Sequence, residues 1–151
     1  MTPAAPPEDA VALARAVAER MFANDRASRG LGMAIAAVRP GQAELTMTVR
    51  GDMVNGHAIC HGGFVFTLAD SAFAFACNSY NLNTVAQGCA IEFLAPAHEG
   101  DVLTARAVER RLSGRTGVYD IEVTNQRGET IALFRGKSYR IKGHVIEPPS
   151  A

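Results

Sequence analysis

Gly62-Gly63-Phe64-Val65-Phe66-Thr67-Leu68-Ala69-Asp70-Ser71-Ala72-Phe73-Ala74-Phe75-Ala76-Cys77 decides the fold of this chain. The stretch spans several helical turns and is apolar nearly all round, the pattern of a helix sunk in a core. It predicts one central buried helix that ends near Tyr80. Asp70 is its only charged side chain. A carboxylate in such surroundings is paired, protonated or used in chemistry, because an isolated buried charge is heavily penalised. Ahead of the helix stands Asn55-Gly56-His57-Ala58-Ile59-Cys60-His61-Gly62-Gly63, a polar, glycine-rich approach. The opening N–H groups of a helix lack intrahelical partners and favour negative charge. A strained acid two turns further on makes the pair a candidate reaction centre.

Working outward, Ala43, Leu45, Met47 and Val49 alternate with Glu44, Thr46, Thr48 and Arg50, a half-buried strand. Pro40-Gly41 turns the chain before it, so residues 33–39 form the other arm of a hairpin. Beyond the helix, residues 84–95 read as a strand stopped by Pro96. Residues 101–112 read as a second with a blurred alternation. Tyr119, Ile121 and Val123 mark a third, and residues 129–141 the last. At the amino end, Pro7-Glu8-Asp9 starts a helix whose stripe includes Ala10, Leu13, Ala14, Val17, Met21 and Phe22. Gly30 and Gly32 close it. The order is helix, two strands, one buried helix, four strands. This indicates an α+β fold with an antiparallel sheet around one central helix, and one domain over residues 1–151. Residues 1–7 and 143–151 are expected to be flexible tails. A single sheet covers only part of the helix, so a homodimer is expected to cover the rest.

The 151 residues are 48% hydrophobic and 20% charged, which excludes a disordered chain. Net charge is zero, against a nucleic-acid partner. Residues 101–142 nevertheless carry nine basic against five acidic side chains, whereas residues 1–100 carry six against nine. That basic half is either a solvated sheet face or a hold for a phosphorylated ligand. Cys60, Cys77 and Cys89 are odd in number and read as free thiols of a cytoplasmic protein. No signal peptide and no uncharged membrane span are present, so no membrane partner is expected.

Gly62 and Gly63 open the helix, and their N–H groups suit a developing oxyanion; an ordinary tight turn is the plainer reading. Asp70 lies about 12 Å further along the axis, too far to share one carbonyl with Gly62 inside one helix. An antiparallel helix of a two-fold partner brings the two together. Asn55 is either a turn residue or an amide facing the site. His57, Cys60, His61 and Asp70 lack the paired spacing of a zinc site, and no metal is expected. Phe66 shares a helix face with Gly63, Thr67, Asp70 and Ala74, so it is placed at the border of a substrate pocket.

Asn55-Gly-His-Ala-Ile-Cys-His61-Gly62-Gly63 followed by Leu68-Ala-Asp70-Ser-Ala-Phe-Ala-Phe-Ala-Cys-Asn78 closely resembles the hotdog-fold acyl-CoA thioesterases, above all the PaaI-type (hydroxy)phenylacetyl-CoA thioesterases of phenylacetate degradation. Ile91-Glu-Phe-Leu-Ala-Pro96, Thr116-Gly-Val-Tyr-Asp-Ile121 and Ala132-Leu-Phe-Arg-Gly-Lys-Ser138 agree, and the resemblance spans roughly residues 15–142. It implies a long central helix wrapped by a curved antiparallel sheet, here with an extra amino-terminal helix, in dimers that pair into homotetramers. It implies hydrolysis of an aryl-acetyl-CoA to free acid and CoA with no cofactor beyond the substrate. Asp70 then acts as nucleophile or general base, and the Gly62 N–H polarises the carbonyl from the opposite subunit. Asn55 orients the carbonyl or water, and His61 supports the loop. Gly63 and Phe66 are assigned to the substrate, and Arg110, Arg111, Arg115 and Lys137 to the nucleotide phosphates. Two positions depart from relatives that place a hydroxyl near the acid: Ala74 and Ala86. The alternatives are a hotdog hydratase or dehydratase pairing His57 or His61 with Asp70, and a non-catalytic acyl-CoA-binding protein that does not need Asp70.

Overall fold

The computed structural model describes Thr2 and residues 4–150; Met1, Pro3 and Ala151, part of the expected tails, lie outside the described residues. Six strands form one antiparallel sheet in the order β1-β2-β4-β5-β6-β3: β1 (Ala34–Arg39), β2 (Gln42–Thr48), β3 (Thr84–Phe93), β4 (Val102–Ser113), β5 (Thr116–Thr124) and β6 (Thr130–Arg140). Every strand pair is antiparallel. The long helix α3 (Gly62–Cys77) lies across the sheet and packs on β2, β4 and β5. This is the hotdog arrangement. Among the described residues, no helix is long and apolar enough to cross a membrane.

The alternation in β2 does what the pattern foretold: Ala43, Leu45 and Met47 are buried. Leu103, Ala105 and Ala107 of β4 and Tyr119, Ile121 and Val123 of β5 complete the floor on which Leu68, Ala72 and Phe75 rest. The blurred alternation of β4 has a structural cause. The β4–β5 register shifts between Glu109 and Arg111, which makes Arg110 a bulge residue and inverts the in–out pattern after it. Glu109 is held there by two phenols, Tyr80 at 2.8 Å and Tyr119 at 3.2 Å, both donating to Oε1.

Two expectations need correction. The amino-terminal helix does not run on to Gly30: α1 (Glu8–Asn24) stops at Asp25, which caps a separate short helix, α2 (Arg26–Gly30), by accepting from the Ser28 N–H at 2.9 Å. The central helix ends at Cys77, not Tyr80. Asn78 takes over there, donating to the Ala74 and Thr84 carbonyls and accepting from the Thr84 N–H. As expected of a single sheet, α3 is only partly covered: Gly63 is exposed and Phe66, Thr67, Asp70 and Ala74 are half-buried. Of the carboxy-terminal stretch expected to fray, Ile146 exchanges two 2.8 Å hydrogen bonds with the Asn81 side chain.

The open stripe runs beside β3, one of the two edge strands of the sheet; the other, β1, packs against α1. Nearly every residue of β3 is exposed, Val85 at 45% and Phe93 at 55%. The strand is ten residues long with Glu92 as its only charge. Long edges of this kind are templates for pairing with another chain.

On the opposite side of the helix, contact is tight. A Cβ built at Gly136 of β6 falls 2.8 Å from three ring atoms of Phe73. That ring is fully enclosed and flanked by Tyr119 at 5.5 Å and Phe134 at 6.1 Å between centroids. Gly136→Ala is therefore expected to destabilise the fold by about 1–3 kcal/mol through overpacking, read as a lower denaturant midpoint at unchanged m-value.

Candidate active site

The amino end of α3 is built by a loop that spends its polar groups on its own backbone. Asn55 Oδ1 accepts from the His57 N–H at 2.9 Å and, more loosely, from the Ile59 N–H at 3.4 Å. The Asn55 N–H donates to the Ile59 carbonyl at 2.9 Å. Ala58 takes a left-handed φ of 60° at the tip. Cys60 and His61 then donate to the Ala97 and Met53 carbonyls, at 2.7 and 2.8 Å, which fixes the start of the helix against the sheet.

His61 governs what the helix end presents. Its Nδ1 accepts from the Gly63 N–H at 2.9 Å, and its carbonyl accepts from the Phe64 N–H at 3.0 Å. The imidazole therefore carries its proton on Nε2 in this arrangement. The Gly62 N–H is left, with no acceptor among the described residues. Gly62 lines a cavity of about 520 Å³ together with Asn55, Val65, Phe93 and Leu94. An unspent N–H at the positive end of a helix, facing a chamber, is an acceptor's site.

Asp70 lies eight residues further along α3, on the open stripe beside β3. It makes no ion pair and no side-chain hydrogen bond among the described residues. Its oxygens are not sealed away, since no fully buried polar side-chain atom lacks a partner. Burial raises its pKa above the ordinary aspartate value. Its charge is felt at two thiols: burial first and Asp70 second push Cys89 up, and Asp70 adds to the burial that takes Cys77 to about 12. The structural ion pair with an arginine, one reading open at the sequence level, is thus absent. Next to it, Ser71 Oγ meets Ser28 Oγ at 2.8 Å, and Ser28 Oγ donates to Asp25 Oδ2 at 2.6 Å. A carboxylate only accepts, so Ser71 is the donor to Ser28. This chain of hydroxyls fastens α2 to the turn of α3 that carries the acid.

The remaining candidates scatter. Gly63 has its N–H committed to His61. Phe66 stacks edgewise on Phe134, ring centroids 5.1 Å apart, rather than lining the Gly62 cavity. Arg110 is on the outer sheet face, 3.4 Å from Asp120. Arg135 grips the same carboxylate at 2.7 and 3.0 Å, and these bonds hold Asp120 below the usual carboxylate range. Arg111 and Lys137 flank Val118 on that face by strand register, and Arg115 sits in the β4–β5 turn. None of the four basic residues lines the Gly62 cavity. His57, Cys60, His61 and Asp70 do not gather, and no set of three metal-ligating side chains does so among the described residues. Phe93 and Leu94, two walls of the cavity, escaped sequence reading because they resemble ordinary strand residues before Pro96; the missed signal was two large apolar side chains in a row at a strand end.

The raised pKa of Asp70 has a consequence for stability. The folded state holds this proton to higher pH than the unfolded chain, so stability falls as pH rises from the unfolded towards the folded pKa. Asp70→Asn is expected to raise the melting temperature at pH 7, with the gain over the parent vanishing below the ordinary aspartate pKa; paired melts at pH 3 and pH 7 measure it.

Three comparisons bear on this site. The profile of the Thioesterase superfamily matches residues 57–132. The Acyl-coenzyme A thioesterase PaaI of Escherichia coli (strain K12) is 52% identical over 128 residues, covering 85% of this chain and 91% of that protein. A putative esterase of Archaeoglobus fulgidus is 37% identical over 125 residues, covering 83% and 81%. The solved structure of the E. coli PaaI protein from the phenylacetic acid degradation operon superposes with a TM-score of 0.88 at 51% identity, covering 89% of this chain and 97% of that one.

Proposed function

Since the chain belongs to the thioesterase superfamily, we propose that it hydrolyses acyl-CoA thioesters, aryl-acetyl-CoA such as (hydroxy)phenylacetyl-CoA foremost, to the free acid and CoA. The observation that carries this is the unspent Gly62 N–H on an uncharged cavity. The thioester carbonyl accepts from that N–H, and the helix dipole adds to the stabilisation of the oxyanion. Asn55, its Oδ1 engaged within the loop, turns its amide NH₂ to the carbonyl or to the water. The acid is Asp70 of a partner subunit. It either attacks the carbonyl carbon to give an anhydride that water then opens, or takes a proton from the attacking water. In both routes the C–S bond breaks and the thiolate leaves as CoA and collects a proton; the new oxygen on the acyl carbon comes from water when water attacks that carbon, and from the Asp70 carboxylate when water opens the anhydride at the aspartyl carbon.

A homodimer closes the site. The free edge of β3 and the open stripe of α3 lie side by side, and a two-fold mate on both covers the apolar surface that the sheet cannot reach. Pairing of such dimers into a homotetramer follows from the resemblance to relatives. The CoA phosphates go to Arg111, Arg115 or Lys137 in preference to Arg110, whose guanidinium already has Asp120.

Two experiments test the assignment. Gly62 is the first helical residue, where proline is tolerated, and His61 before it has ψ 131°, the conformation that proline favours in its neighbour. Gly62→Pro therefore deletes the N–H, and Gly62→Ala, which brings the same Cβ against Phe93 and keeps the N–H, is its reference. In a thiol-release assay the proline variant is expected to fall about 10²–10³-fold in kcat below the alanine variant; equal rates would remove Gly62 from the mechanism. Asp70→Asn should be at least as impaired. Coexpressing Asp70→Asn with Gly62→Pro should restore activity through hybrid dimers with one intact site, and continued inactivity of the hybrids would refute the shared site. In the parent protein, kcat/KM is expected to decline on the acid side at a pH above the ordinary aspartate pKa, because the working form of Asp70 is the carboxylate.

A further inference from the structure

The chamber at the head of α3 has a feature that hydrolysis alone does not call for. No charged side chain lines it. A polyanionic nucleotide is disfavoured in such a space, whereas an acyl group suits it. Phe93 and Leu94 form its lip and are 55% and 57% exposed, more than any other large apolar side chain among the described residues. Phe93 also reaches the reacting end. A Cβ built on Gly62 would stand 2.9 Å from Phe93 Cζ and 3.1 Å from Cε1. The ring tip thus touches the same residue whose N–H is unspent, so whatever hangs from a carbonyl bound there begins beside this ring.

The other phenylalanines near the helix have their rings occupied. Phe66 and Phe73 both meet Phe134, Phe73 also meets Tyr119, and Phe22 meets Phe75. Phe93 pairs with no aromatic ring among the described residues. Aromatic rings prefer edge-to-face or offset partners at centroid separations of about 4.5–7 Å, a preference that an alkyl chain of equal area does not satisfy.

We infer that Phe93 is a specificity-determining residue, the wall on which an aromatic acyl group packs while its carbonyl is held at Gly62. The inference rests on the thioesterase reading above and adds to it the device that selects aryl over alkyl chains. The lack of a side chain at Gly62 then has a second reason: it lets the Phe93 ring lie close to the polarised carbonyl.

The test is a ratio measured within each preparation of the full-length protein: kcat/KM for phenylacetyl-CoA over kcat/KM for hexanoyl-CoA, by thiol release. A ratio cancels any difference in folded fraction between variants. Phe93→Leu, which keeps apolar bulk and loses the ring, is expected to lower the aryl-to-alkyl ratio about tenfold. Phe93→Tyr, which keeps the ring, is expected to hold it within about twofold of the parent. An unchanged ratio in Phe93→Leu, or an equal loss on both esters, overturns the role of Phe93 and leaves thioester hydrolysis standing. A parent protein that cleaves neither ester overturns the hydrolytic reading itself, and this inference with it.

Discussion

One sheet cannot enclose one helix, and this shortfall organises the molecule. The six strands curl far enough to bury Leu68, Ala72, Phe73 and Phe75 of α3, and they leave Gly63, Phe66, Thr67, Asp70 and Ala74 partly in the open. The same sheet ends on β3, whose outer edge has no strand to bond. Both deficits lie on one side. A carboxylate on a fully enclosed face would have cost too much to keep without a counter-charge. On the half-open stripe it persists without an ion pair among the described residues, its pKa raised by burial.

The loop ahead of α3 solves a different difficulty, which is how to leave one donor unsatisfied without leaving several. Helix starts carry a set of unpaired N–H groups. Here the His61 ring takes Gly63 and the His61 carbonyl takes Phe64, and the Gly62 donor at the very front of the helix stays unspent. Asn55 anchors the loop that holds His61 in place, and its side-chain carbonyl is consumed in doing so. Two polar residues that look catalytic in a sequence thus spend side-chain atoms on the backbone, and the donor left free at the helix front is of a kind that every residue but proline possesses.

Much of this was legible before any coordinates. Strict alternation exposed β2 and β5 because their two faces meet water and core respectively. The apolar run exposed α3 because nothing else in the chain is both so long and so free of charge. The break at Asp25 was hidden, since the helical stripe is continuous on both sides of it and only the cap on Ser28 reveals the stop. The Arg110 bulge hid the phase of β4, and with it the contact of Arg110 with Asp120. Phe93 was hidden for a deeper reason: it approaches Gly62 across the fold, a contact between positions thirty-one residues apart that no local pattern encodes.

The hydroxyl chain from Ser71 through Ser28 to Asp25 has a fixed polarity, because its last member cannot give a proton. Its mechanical effect is a torsional stop. The turn of α3 that bears the acid is latched to the short helix α2, so the helix cannot roll about its own axis without breaking this part-buried bond. Asp70 retains the freedom of its own side chain while the backbone beside it is tied down, and the short helix α2 serves as the bracket under the turn that bears the acid.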